Sequence, residues 1–368
     1  MAQVDRSGWI ELEEFASAIV GEHELGEHDS SMRAREFSAA ALADLALLPV
    51  NHETIIALGA LAPLVRLLRH GSHAGRQHAS AALARLGDDH DETASAIAVI
   101  GAIAPLVSLL GGEFSEGAQE EGAHALYALA NNEANRQFIT QAGGIVPLVE
   151  LLGSRNSRAR EHAEGALVRL SIDPANRIAI IRKLVSMLLE DAGQEQAAAA
   201  LGNLAKDSAD NRESIVAAGG VAPLLSLLES HSLKSKENAA EAIKALAYRS
   251  RRIQGAIATA GGIPLIANVL VVSTSNVKEM MANSVLCSLA AQAVETLTED
   301  NRGNQDAMSE AGGVTPLYTM LTSASASMQA TAAGALSALS RRNPETQAAV
   351  ARTGALTPLC QCAAAARD

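Results

Sequence analysis

The decapeptide GGVAPLLSLL, Gly219–Leu228, has near copies in GAIAPLVSLL at Gly101 and GGIVPLVELL at Gly143. Its first glycine recurs at Gly59, Gly101, Gly143, Gly219, Gly261, Gly312 and Gly354, and four of the six intervals are 42 residues. Regular self-similarity at this period marks a repeat array. The 76 residues from Gly143 to Gly219 hide one further unit, because KLVSMLL at Lys183 matches PLVSLL although its glycine turn is lost. The 51 residues from Gly261 to Gly312 carry roughly nine extra.

Each unit divides into three parts. A short segment such as NRQFITQA at Asn135 or NRESIVAA at Asn211 allows a brief first helix that ends at the glycines. Glycine relieves the steric cost of a sharp reversal there. The asparagines Asn51, Asn135, Asn176, Asn211 and Asn304 recur at one repeat phase and are expected to start these helices through side-chain caps. A proline near the start of the second helix (Pro63, Pro105, Pro147, Pro223, Pro264, Pro316, Pro358) tolerates its missing amide donor. The third part is the longest, as in RQHASAALARLG at Arg76, QEQAAAALGNLA at Gln194, KENAAEAIKALA at Lys236 and KEMMANSVLCSLA at Lys278. Leucine and alanine recur in it three and four places apart, the period of a helix face. One such unit cannot bury its apolar surfaces alone, whereas stacked neighbours can. An all-α, elongated array is the expected fold.

The three-part unit, the motif NRxxIxxAGGVxPLLxLL at Asn211 and the ALGNLA ending at Ala200 resemble an armadillo-repeat protein. The resemblance runs from about Arg33 to Ala366 and implies a right-handed armadillo-repeat superhelix, residues 33–368, with incomplete terminal repeats after an N-terminal segment, residues 1–32. In that family the third helices line a concave groove, and an Asn near their ends commonly grips the backbone of an extended peptide. Asn203 matches that position, while the corresponding places elsewhere hold Asp44, Arg85, Ala128, Arg169, Ala245, Ser288 and Ala338. The Trp that the family's nuclear-signal receptors place four residues earlier is replaced by Ala40, Ala81, His124, Gly165, Ala199, Glu241, Ser284 and Gly334, which argues against that class. Asp44, Arg85, Arg169 and Asn203 remain the candidate protein-binding groove residues, offering charge and hydrogen bonding to a partner with a matched pattern.

The opening DRSGWIELEEF, Asp5–Phe15, resembles the later part of an EF-hand calcium loop and its exit helix. In that frame Gln3, Asp5, Ser7, Glu11 and Glu14 fall at ligand positions and Gly8 at the sharp turn. Gln3 stands where an Asp is usual and the entering helix is missing, so calcium binding is expected only in a longer chain.

Aromatic residues make up 2% of a chain that is 48% apolar, so the core must be built from Ala, Leu, Ile and Val, which suits close helix contact. With 29 Lys and Arg against 41 Asp and Glu, the formal charge of −12 disfavours nucleic acid as a partner. The apolar run IPLIANVLVV from Ile263 is too short for a membrane span. Cys287, Cys360 and Cys362 form neither a disulfide framework nor a common metal motif, which points to a reducing, cytoplasmic setting. His70, His73 and His78 lack a fourth metal ligand, and the phosphate-loop, zinc-protease and nucleophile-elbow motifs are absent. No cofactor is implied. The sequence therefore points to a non-enzymatic scaffold that binds an extended or helical protein segment in its groove. The alternatives are an enzyme with a non-sequential site in that groove and an assembly component joined through its terminal helices.

Overall fold

The computed structural model describes residues 28–88, 90–190 and 193–365, and the EF-hand-like stretch lies outside the described residues. Among the described residues every regular element is helical. The chain divides into two compact units, residues 1–180 and 181–368. In the first, α1 (His28–Leu45), α4 (His73–Gly87), α7 (Glu116–Leu129) and α10 (Ser157–Leu170) are third helices, each packed on the next. Between them run the first helices α2 (His52–Ala57), α5 (Asp91–Val99) and α8 (Glu133–Gln141), and the second helices α3 (Leu61–His70), α6 (Ile103–Ser108) and α9 (Ile145–Leu151).

The division falls within α11 (Pro174–Met187). In the second unit the third helices are α12 (Gln194–Asp207), α15 (Leu233–Ala247), α19 (Ser284–Thr298) and α22 (Ala326–Ser340), again packed in order. The first helices are α13 (Ala209–Ala217), α16 (Arg251–Thr259), α20 (Arg302–Glu310) and α23 (Pro344–Arg352). The second helices are α14 (Val221–Ser226), α17 (Gly262–Ser273), α21 (Val314–Leu321) and α24 (Leu356–Ala365). One extra helix, α18 (Val277–Ala282), precedes α19.

Backbone geometry explains the recurring phrase. All seven phrase glycines adopt a left-handed conformation, with φ between 76° and 90°. Any side chain would be strained there, so the first helix turns into the second at glycine. The following position is crowded where it is also glycine: a Cβ on Gly220 would lie 2.9 Å from Ile215 Cγ2. Where the glycine turn is lost, nothing interrupts the helix, and the first and second helices fuse into the continuous α11. Its buried Ile180, Ile181 and Leu184 then serve one apolar face.

The third helices are held close by small residues. Ala79, Ala82 and Ala84 in α4, Ala123, Ala125 and Ala128 in α7, and Ala239, Ala240 and Ala242 in α15 are all essentially inaccessible to solvent. A Cβ on Gly202 of α12 would sit 3.3 Å from Ala242 Cα, so those two backbones approach about as closely as side chains permit. Most third helices begin at a capping side chain: Ser72, Ser115, Asn156, Ser232 and Ser325 each accept a hydrogen bond from the third amide of the helix they start.

The recurring asparagines do something other than cap. Asn132, Asp173, Ser208 and Asn301, three residues earlier, take the cap position. Asn135, Asn211 and Asn304 lie inside the first helix, Asn176 lies in α11, and all four are buried. Asn211 Nδ2 donates to Leu204 O (2.8 Å) and Asn304 Nδ2 to Leu297 O (2.8 Å), closing the carbonyl end of the preceding third helix. Asn135 Nδ2 instead donates to Ala94 O of the preceding first helix (3.0 Å). Thr346 Oγ1 donates to Leu339 O in the same way as the first two (2.7 Å), and His52 Nε2 pairs with Ala46 O (2.8 Å). A buried carbonyl left without a partner is costly, and these donors remove that cost at Ala46, Leu204, Leu297 and Leu339.

The same bonds fix the register around the insertion. Leu204, Leu246, Leu297 and Leu339 are equivalent buried leucines, so the position of Asn203 recurs as Ala245, Thr296 and Ala338. The expected third helix from Lys278 is therefore corrected: α18 ends at Ala282, α19 is the third helix, and Thr296 and Gln292 replace Ser288 and Ser284 at the repeat positions expected to face the groove. Met280, Leu286 and Cys287 satisfied a helical apolar pattern in the wrong register because the extra residues fall just ahead of the third helix.

In the second unit three third helices leave by one connection, an extended residue followed by a left-handed one. Arg249, Asp300 and Arg342 have φ of 52°, 50° and 54°. This resembles the central pair of a type II turn, whose second position favours glycine. Arg342 is exposed, and Arg342→Gly is expected to stabilise the chain by about 0.5–1 kcal/mol in urea unfolding. Asn304→Ala, which strips the buried Leu297 carbonyl of its donor, is expected to cost about 1–3 kcal/mol, and Asn51→Ala, whose bond to Leu45 O is exposed, less than half as much.

Candidate functional site

The third helices of each unit carry the predicted groove residues. In the first unit Arg85 and Arg169 do not stand free. Arg85 Nη1 donates to Ala43 O near the end of α1 and lies 3.6 Å from Asp44 Oδ1. Arg169 Nη1 donates to Tyr127 O near the end of α7, and its guanidinium carbon sits 3.4 Å from the centre of the Tyr127 ring. Each arginine thus places a cation at the carbonyl end of the third helix one repeat earlier, where the helix dipole favours it. Asp44 stays largely exposed. Gly165 leaves room for this arrangement, since a Cβ there would meet Tyr127 Cε2 at 2.6 Å.

Beside Tyr127 two imidazoles from adjacent third helices stack, His124 and His162, with ring centres 4.4 Å apart. His124 Nδ1 is 3.8 Å from Glu121 Oε2. Burial, and then the facing His124, hold the His162 pKa below its ordinary value against the opposing pull of Glu120, Glu161 and Glu121.

The second unit contains a true concavity, a cavity of about 470 Å³ opening between α12, α15 and α19. Lys206, Arg212, Lys244, Ala245, Tyr248, Gln292, Glu295 and Thr296 line it. A polar ladder crosses these helices. Lys206 Nζ is 2.8 Å from Glu241 Oε1, Lys244 Nζ is 2.5 Å from Glu241 Oε2, and Lys244 Nζ donates to Gln292 Oε1 at 3.0 Å. Burial alone would raise the Glu241 pKa, yet the two ammonium groups outweigh it and hold the carboxyl below its ordinary value. Asn203 is half-buried on α12 with its Oδ1 3.5 Å from Lys206 Nζ, so it adjoins this ladder.

The structure therefore separates the four predicted residues. Asn203 adjoins Lys206, which lines the cavity, whereas Asp44, Arg85 and Arg169 belong to the first unit, where the arginines tie one repeat to the next. Sequence reasoning missed Lys206, Lys244, Tyr248, Gln292 and Thr296. Lys206 lies in the last turn of α12 and Tyr248 directly follows α15, and that recurrence of long side chains at helix ends was the available signal. Among the described residues no group of three or more His, Cys, Asp or Glu is arranged to hold a metal ion, and no single helix is long and apolar enough to cross a membrane.

Residues 208–247 and 301–341 match the sequence model of the Armadillo/beta-catenin-like repeat. A search of curated proteins returned no match. Among solved structures the chain is similar to an engineered protein from the Northeast Structural Genomics Consortium, with 28% identity over 94% of this chain and 82% of that one, at a TM-score of 0.62. Other similar structures are a second engineered protein from the same consortium (26% identity, 77% of this chain and 98% of that one, TM-score 0.43) and a computationally designed armadillo repeat protein for modular peptide recognition (22%, 78% and 99%, TM-score 0.44). The repeat matches and the first of these structures agree with the helix order: the chain has an all-α, armadillo-repeat-like solenoid fold.

Proposed function

We propose that the protein is a non-enzymatic interaction scaffold that binds an extended or helical protein segment against its third helices, with the cavity of the second unit as the anchor. The cavity carries this reading. At about 470 Å³ it is large enough to take a partner's side chain, and its lining combines Ala245 and Tyr248 with polar groups fixed by the ladder. Tyr248, exposed, offers an aromatic face with one polar tip, a residue type favoured at binding surfaces. Glu241 holds Lys206 of the adjacent helix and Lys244 of its own, so these lining side chains are ordered before a partner arrives.

A displayed library of random peptides, selected on the full chain, supplies the ligand for a direct test. Amide exchange should slow on α12, α15 and α19 when a selected peptide binds, and Tyr248→Ala or Lys244→Glu should raise its dissociation constant several-fold. Asn203→Ala should cost about 1 kcal/mol of affinity if its amide reaches the peptide backbone. Arg85 and Arg169 variants should leave that affinity unchanged. Protection confined to other helices would overturn the assignment.

The ladder also has a pH signature. Because the Glu241 carboxyl is held below its ordinary value in the fold, its contribution is fully present above the unfolded carboxylate range and is lost as pH falls through the lowered value. Glu241→Gln should flatten the acid side of a stability profile, below about pH 4.5, and leave the slope near neutrality unchanged.

A further inference from the structure

The residues inserted between Gly261 and Gly312 build a surface of different character from the groove. Met280 turns inward from α18, while Val277 (66% exposed), Met281 (71%) and Val285 (55%) stand in solvent, as do Val271 and Val272 at the end of α17. Val277 and Met281, four residues apart, share one side of α18. Next to Val272 lies a cavity of about 210 Å³ that Leu265, Val269 and Leu286 line, with Glu229 and Lys236 also at its wall. A cluster of large aliphatic side chains left in water marks a contact surface.

We propose that this surface pairs with a second copy of the chain about a two-fold axis. Charge selects the occupant. The chain carries a formal charge of −12, so two copies repel in general, and self-contact is favoured where local charge balances. Lys278 and Glu279 provide that balance on one turn beside the apolar side chains, and both are exposed. In a two-fold contact residue i meets j and j meets i, so Lys278 of each copy faces Glu279 of the other. Asn283 Nδ2 lies 3.3 Å from Glu279 Oε2 and helps to orient that carboxylate, whereas Lys278 has no ion pair among the described residues. Lys236 and Glu229 repeat the same balance at the neighbouring cavity. A strongly acidic or strongly basic partner would find no matching excess here. Met281 adds a flexible, polarisable side chain that can repack against its own copy.

Sedimentation velocity on the full chain over a concentration series tests the proposal. A monomer–dimer equilibrium is expected, and the double variant Val277→Lys, Met281→Lys should raise the dissociation constant about tenfold or more without changing helicity. The charge exchange is more specific. Lys278→Glu and Glu279→Lys should each weaken self-association, and mixing the two variants should restore pairing as a heterodimer, because each mixed contact again joins opposite charges. A chain that stays monomeric throughout the series overturns the proposal, as does a dimer that neither the lysine substitutions nor the charge exchange affects. Binding of another protein at this surface while the chain itself remains monomeric overturns it equally. Peptide binding at the cavity of α12, α15 and α19 is a separate measurement, so its outcome does not bear on this one.

Discussion

The carbonyl ends of the third helices set the terms for much of this structure. A third helix rich in alanine and leucine packs against its neighbours, and several of its last carbonyls therefore face protein rather than water. Asn211, Asn304 and Thr346 close those ends on Leu204, Leu297 and Leu339. In the first unit Arg85 and Arg169 add a cation to the corresponding region one repeat earlier. With those groups satisfied, the helices can approach as closely as Gly202 approaches Ala242. Remove the donors, and the same close packing would bury unpaired polar groups.

The groove follows from how that end is used. Where an arginine folds back onto the preceding helix, the position that could grip a peptide is occupied by an internal contact. Where the residue is small, as at Ala245, space is left open, and long side chains from adjacent helices bridge around it. Arg85 and Arg169 reach the preceding third helix of their own chain, whereas Ala245 lines a cavity.

Much of the fold was legible in the amino-acid sequence. The seven glycines announced their left-handed turns because only glycine is comfortable there, and the prolines and the leucine spacing placed the helices that follow. Loss of the glycine turn before Lys183 correctly marked an irregular repeat, and its consequence, the single helix α11, follows from the same rule. Asn203 was singled out by its repeat position, and its side chain adjoins Lys206.

Tertiary structure decided the rest. The asparagines at one repeat phase read as caps, because a short polar side chain near a helix start suits that role; only the packed Leu204 and Leu297 carbonyls reveal that Asn211 and Asn304 are buried donors instead. The register after the insertion was ambiguous for a similar reason, since Met280 and Leu286 fit a helical apolar period whether or not the helix breaks at Asn283. The cavity was invisible along the chain: Lys206, Lys244 and Gln292 come from three separate repeats, and their ladder exists only once those helices are side by side. Local periodicity determines which elements form, because it acts between residues three or four apart. Which polar groups meet is decided across some forty residues of chain, where only the stacked repeats bring them together.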